Sequence, residues 1–233
     1  MILIYGHRLY GRMAKFAGTC VAARFIHLYY LPLIPIGSFL VLGPAGDGQD
    51  RVIKIGFHWG SIGLTYLRTA SVAAVALAIF SIVNATRYGA QSADIGVAAA
   101  AVLLAAGLIY LAWSRLGRLG VEHKAQRSVY YDCVGTFADV AHLGPAREQM
   151  RDKLLGELRL RGDEQKRGWR EQAGDAACTD VPFLKKALTL CRLEWALAKG
   201  GDRAVLMHEH RVIFQRLAAQ SPEILKTAEL EVS

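Results

Sequence analysis

Residues 69–113 hold two uncharged apolar runs, Thr69 to Ala85 and Ile95 to Trp113, with a short polar break between them. Nothing else in the chain restricts the fold as strongly, because a soluble protein of this size rarely buries two neighbouring all-apolar helices of such length. At 1.5 Å per helical residue the runs cover roughly 25 and 28 Å, close to the ~30 Å hydrocarbon core of a bilayer. The pattern predicts a two-helix transmembrane hairpin with spans at 69–85 and 95–113. A pair of buried helices in a soluble domain is the competing reading.

Flanking charge favours the hairpin. Arg68 precedes the first run, and Arg115, Arg118, Lys124 and Arg127 follow the second, whereas the break from Thr86 to Asp94 carries Arg87 against Asp94. This bias of lysine and arginine predicts an integral membrane protein with both termini cytoplasmic. Tyr66, Tyr88, Tyr110 and Trp113 lie near the expected boundaries, where amphipathic rings collect. With 53% hydrophobic and 21% charged residues, the chain is too polar for a multi-span channel or transporter of common design.

Of the net charge of +8, residues 1–68 carry +5 and residues 114–233 carry +3, so the excess can face anionic lipid headgroups. No basic motif interleaved with aromatics accompanies it, and nucleic acid is not an expected partner. The bilayer is, together with a protein partner or a second copy of the chain. Cys20, Cys133, Cys178 and Cys191 are scattered through the segments expected in the cytoplasm, where free thiols are the rule. The N-terminus begins apolar with no basic leader before it, so the first span is expected to act as its own insertion signal.

The organisation that follows is an α+β membrane protein: a small β-rich module at 1–68, the hairpin at 69–113, and a cytoplasmic helical bundle at 114–233. Short β-branched and aromatic runs stopped by glycine, Met1 to Tyr5, Cys20 to Tyr30, Phe39 to Leu42 and Arg51 to Phe57, read as strands, with turns at Gly43-Pro44 and from Gly46 to Gly48. Residues 25–42 contain no formal charge and read in two ways. They form extended pieces bent at Pro32 and Pro35, packed on the sheet or resting on the membrane surface, or they form a third membrane-inserted segment. The first reading is preferred.

The residues Tyr5-Gly6, Arg8, Tyr10-Gly11-Arg12, Ala23-Arg24-Phe25, His27-Leu28 and Leu31 to Val41 together resemble the N-terminal signature of uncharacterised bacterial two-span membrane proteins. Leu31 to Ile36 is also similar to the segment between the metal-binding knuckles of some bacterial zinc ribbons. Cys20 is the only N-terminal cysteine, so the resemblance implies a ribbon-like β module without metal.

Beyond Trp113 the second span is expected to run on as a helix through Arg115 to about Tyr131, with Gly117 and Gly120 as the place for a kink, and to end at Gly135. Pro145 opens a helix that stops at Arg161-Gly162, and residues 163–179 read as a loop or short exposed helix. Asp180 caps a helix with Leu184, Ala187, Leu188, Cys191, Trp195 and Ala198 on its apolar face, which Gly200 and Gly201 end. Asp202 caps the next, with Leu206, Ile213, Phe214 and Leu217 facing a partner, and Ser221 and Pro222 open a terminal helix.

Each chemical candidate has a plainer reading. His208 and His210 are two apart and point to different faces of a helix, where ligands normally sit three or four apart, so they read as exposed polar residues. His7, His27 and His58 lack an accompanying carboxylate pattern and read as turn, core or interface residues. Cys133 near Asp132 and His142 has no spacing that demands nucleophilic chemistry. No catalytic, cofactor-binding or metal residue is assigned, and no cofactor is expected. The function expected is a membrane-anchored binding or scaffold protein that presents cytoplasmic modules to a partner. An accessory subunit of a membrane transport or enzyme complex is the alternative.

Overall fold

The computed structural model describes residues 5–44, 50–87, 92–159 and 168–230. The strand start before Tyr5, the turn from Gly46 to Gly48, Tyr88 and the stop at Arg161-Gly162 lie outside the described residues.

Four strands, β1 (Tyr5–Phe16), β2 (Thr19–Leu28), β3 (Leu31–Pro44) and β4 (Asp50–Ile55), form one sheet in the order β1-β2-β3-β4. Two-residue turns join β1 to β2 and β2 to β3, which makes these pairs antiparallel hairpins. Ala17 and Gly18 supply the two positive φ values that the first turn needs, 43° and 79°. The bend expected at Pro32 and Pro35 is absent, because β3 runs through both prolines. β4 is six residues long, and both prolines sit near the start of β3. Residues 25–42 are therefore strand and turn, and the third membrane-inserted helix is not formed.

The helices are α1 (Trp59–Arg87), α2 (Ser92–Tyr110), α3 (Val121–Val134), α4 (Ala146–Arg159), α5 (Trp169–Gly174), α6 (Val181–Leu197), α7 (Asp202–Gln220) and α8 (Glu223–Leu230). A π turn, Leu111–Arg115, follows α2, and a 3-10 turn, Val140–His142, follows α3. The helix expected to continue from the second apolar run to about Tyr131, with Gly117 and Gly120 as the place for a kink, is broken at residues 116–120, where Gly117 takes a φ of 82°.

The two-helix transmembrane hairpin expected at 69–85 and 95–113 is overturned. Among the described residues, one helix is long and apolar enough to cross a membrane, Trp59–Asn84, and only 11% of its most apolar window is buried. It begins ten residues before the apolar run because its first turns pack on the sheet. The other apolar helix, Ala99–Ser114, has sixteen residues. At 1.5 Å each these cover about 24 Å, short of the ~30 Å hydrocarbon layer. Uncharged alanine-rich sequence marked an apolar helix correctly but not one of full span.

The chain forms two compact units. The first comprises Met1–Lys15, Cys20–Phe39 and Gly56–Arg118. Its core places Ala23, Phe25 and Ile62 together with Tyr10 packed against them. The start of α1 is fixed by polar groups: His58 N–H donates to Ser38 Oγ at 2.9 Å, Ser61 N–H donates to His58 Nδ1 at 3.1 Å, and Ser61 Oγ donates to the Gly11 carbonyl at 2.8 Å. Gly11 is required there. It holds a φ of 60°, and a Cβ on it would stand 2.2 Å from the Ser61 carbonyl oxygen and 2.3 Å from Thr65 Oγ1. α2 packs along α1 and returns the chain, since Arg68 Nε donates to the Ala112 carbonyl at 3.0 Å and its guanidinium lies 5.2 Å over the Trp113 ring.

The second unit comprises Phe16–Thr19, Leu40–Ile55 and Leu119–Ser233. α6 is its central helix, packed against α3, α4, α5 and α7. Phe183, Leu184, Ala187, Leu188, Leu190, Cys191 and Leu193 are all buried along it. Asp180 caps α6 by accepting from the Phe183 N–H at 3.1 Å, and Pro182 sits in the first turn, where no donor is missed. α3 ends at Gly135, whose φ of 72° is the left-handed C-cap that glycine adopts without a Cβ clash. For α7 the cap position is Gly201, with no side-chain bond, and Asp202 is the first helical residue.

Candidate ligand cavity in the helical unit

Three helix faces of the second unit converge on a cavity of about 920 Å³. α3 contributes Arg127 and Tyr130, three residues apart, and α6 contributes Arg192 and Trp195 at the same spacing. α7 contributes Met207, His210, Arg211 and Phe214, which follow the helical repeat down one side. The size is that of a small-molecule pocket, and the mixture of apolar walls with a few polar groups is the usual lining.

Asp139 and Arg192 form the principal charge pair of this wall. Arg192 Nε donates to Asp139 Oδ1 at 3.0 Å and its terminal nitrogen to Oδ2 at 2.5 Å, a two-pronged contact with side chains only 18% and 16% exposed. Asp139 Oδ1 also accepts from the Ala141 N–H at 3.0 Å, which caps the 3-10 turn. Burial alone would raise the Asp139 carboxyl, but the hydrogen bond and charge of Arg192 outweigh it and hold the pKa down to about 2. The Arg192 guanidinium also lies 4.3 Å over the Trp195 ring.

Behind this pair, Tyr130 Oη and His210 Nε2 lie 3.0 Å apart in a buried contact. Burial lowers the His210 pKa to about 4, with Arg192 and His123 adding to the effect and Asp139 opposing it. Burial pushes the Tyr130 hydroxyl well above its ordinary range. Both groups are therefore neutral near pH 7, and the direction of the proton between them follows the imidazole tautomer. On the same core, the Cys191 thiol donates to the Leu206 carbonyl at 3.2 Å, and burial pushes its pKa up to about 12, with Glu209 and Glu194 adding. None of these groups is tuned toward proton transfer or nucleophilic attack near neutral pH. What the lining offers is recognition: Arg127, Arg192 and Arg211 against Glu122 and Asp139, with aromatic and apolar surface around them.

The structure separates the sequence candidates. His208 is exposed, but His210, read as exposed from its spacing, is buried in the cavity wall. His7 is exposed, His58 serves the start of α1, and His27 is buried and stacked on Tyr30 at 5.8 Å, so the three do not meet in one site. Among the described residues, no group of three His, Cys, Asp or Glu could hold a metal ion. Cys133 is partly buried, and burial raises its thiol pKa, which is the reverse of an activated nucleophile. Arg127 is read from the sequence only as a charge flanking the apolar segment, and Tyr130, Asp139 and Arg192 are not singled out by it. A signal existed for Arg192, a charge next to Cys191 on an otherwise apolar helix face, but none for Asp139, which lies in an irregular connection.

No protein-family model matches this sequence, and no curated protein or solved structure does either.

Proposed function

We propose that this chain is a membrane-anchored binding protein, in which α1 enters a lipid bilayer and the cavity of the helical unit receives an anionic group of a partner. The observation that carries the anchor is the exposure of α1. An apolar helix that leaves Val72, Leu77, Ile79 and Phe80 more than half exposed is unlike the buried helix of a soluble core, and lipid is the solvent that suits it. For the cavity, three arginines against two carboxylates favour a negatively charged ligand group, and Trp195 and Phe214 favour apolar surface beside that group.

In the finer placement, a bacterial inner membrane follows the resemblance of the N-terminal segment, and both termini in the cytoplasm follow the charge. Arg68 lies beside Ala112 and Trp113, so the charge that precedes the first apolar run meets the end of the second. The test is purification of the full chain in lipid nanodiscs, followed by mass spectrometry of retained proteins and small molecules, for the wild type and for Arg211→Ala. Arg211 is exposed at the cavity, so the fold survives its removal. A stoichiometric companion kept by the wild type and lost by the variant supports binding at the cavity. No companion, or the same companion in both, overturns it.

A further inference from the structure

The turn between β2 and β3 is made by Tyr29 and Tyr30, with φ values of 48° and 67°. Two-residue hairpin turns of this kind take asparagine and glycine, which bear a positive φ with little or no clash, whereas two consecutive tyrosines are sterically opposed to it. Their rings are nevertheless kept, and both are largely exposed. Leu31, Leu33, Ile34 and Ile36 follow, all exposed, with Ile34 at 59%. Successive strand residues face opposite sides of the sheet, so this end of the hairpin shows apolar side chains on both faces, not the single apolar face of a sheet packed on a core.

The position of the hairpin along α1 sets its level. Ser38 Oγ accepts from the N–H of His58 just before the helix, and Tyr66 Oη, further along it, donates to the Leu33 carbonyl at 2.8 Å. β3 therefore lies along α1 with its start pointing toward the apolar part of the helix. From Leu33 back to Tyr30 is about 10 Å at ~3.3 Å per strand residue, which corresponds to roughly seven residues of helix beyond Tyr66. The tyrosine turn thus stands level with the first turns of the uncharged run that begins at Thr69. Arg68 and Trp113, in contact at 5.2 Å, lie roughly five helical residues, about 7 Å, before that level on the helix pair.

Charge points to the same surroundings. Between Tyr5 and Pro44 there are three arginines and one lysine, Arg8, Arg12, Lys15 and Arg24, and no acidic residue. The Arg8 guanidinium lies 5.7 Å over the Tyr30 ring, and Tyr10 Oη donates to the Tyr30 carbonyl at 3.0 Å, so the turn is held in place by a cation and a second tyrosine.

We infer that the Tyr29–Ile36 end of the β2–β3 hairpin is a second membrane contact, seated in the headgroup layer of an anionic bilayer beside α1. Tyrosine rings favour that layer, apolar side chains on both faces suit its inner edge, and Arg8 and Arg24 complement its charge. The inference rests on the proposal that α1 enters a bilayer.

The full chain is reconstituted in vesicles of phosphatidylcholine and phosphatidylglycerol, with a fluorescent amino acid incorporated in place of Ile34, Phe80 or Val205. Quenching is measured with lipids that carry a nitroxide near the headgroup or near the end of the acyl chain. A probe at 34 should be quenched by the shallow nitroxide, a probe at 80 by the lipid nitroxides as an anchor control, and a probe at 205, in the helical unit, by neither. Changing Tyr29→Asn together with Tyr30→Gly relieves the strained turn, so it should preserve the melting temperature while most of the quenching at 34 is lost. Quenching at 80 without quenching at 34 overturns the hairpin contact and leaves the anchor standing, whereas loss at both sites overturns the two together. A probe at 34 shielded from aqueous iodide but untouched by either nitroxide means that protein covers the hairpin, which also overturns the inference.

Discussion

Replacing His210 with glutamine should remove most of the mild-acid sensitivity of the helical unit. In the folded chain the imidazole is 6% exposed, and its pKa is lowered from 6.5 to about 4, first by burial and then by the Arg192 charge. The unfolded chain therefore binds this proton more readily than the folded one. His210 contributes no loss above pH 6.5, costs stability progressively as the pH falls through the window from 6.5 to about 4, and adds nothing further below it. A shift of this size corresponds to about 3 kcal/mol, reached at a slope of at most ~1.4 kcal/mol per pH unit. Asp139 works in a separate window, because its lowered pKa gives up stability only as the pH falls from 3.8 through about 2. Glutamine does not titrate and retains an amide to meet Tyr130. Urea unfolding in mild detergent, followed by tryptophan fluorescence at a series of pH values between 7 and 4, measures the effect. Wild-type stability should fall toward that of His210→Gln as the pH drops, closing the gap by about 3 kcal/mol. Parallel curves for the two proteins would refute the assignment of a buried, neutral histidine.

Gly11→Ala should destabilise the first unit by roughly 3 kcal/mol or more, since its Cβ would overlap the Ser61 carbonyl at a left-handed φ. Gly63→Ala, on α1 beside Ser61 but with open space around it, should be neutral or gain up to about 1 kcal/mol, and melting temperatures in detergent compare the two. Leu188→Ala, at a fully buried position of α6, should cost about 3 kcal/mol in urea unfolding, and a loss below about 1 kcal/mol would mean that α6 is not the centre of the core.

Much of the helical unit was legible because its signals are local. The spacing of Leu184, Ala187, Leu188 and Cys191 reports a buried face of α6, Asp180 a cap, and Gly135 a left-handed stop, and each acts within one or two turns of the chain. The apolar character of residues 69–113 was equally plain. Full span was not, because it depends on where an apolar helix starts and stops: residues 59–68 joined α1 by docking on the sheet, and the second apolar helix among the described residues is the shorter Ala99–Ser114. Tertiary contact also decided the fate of the prolines, since Pro32 and Pro35 lie within β3 and do not bend it. The cavity shows the limit most clearly. Arg127, Asp139, Arg192 and His210 are spread over more than eighty positions, and nothing in the sequence near any one of them announces the others. The burial that lowers the pKa of His210, and the Arg192 charge and hydrogen bond that hold down Asp139 against its own burial, exist only once α3, α6 and α7 have packed.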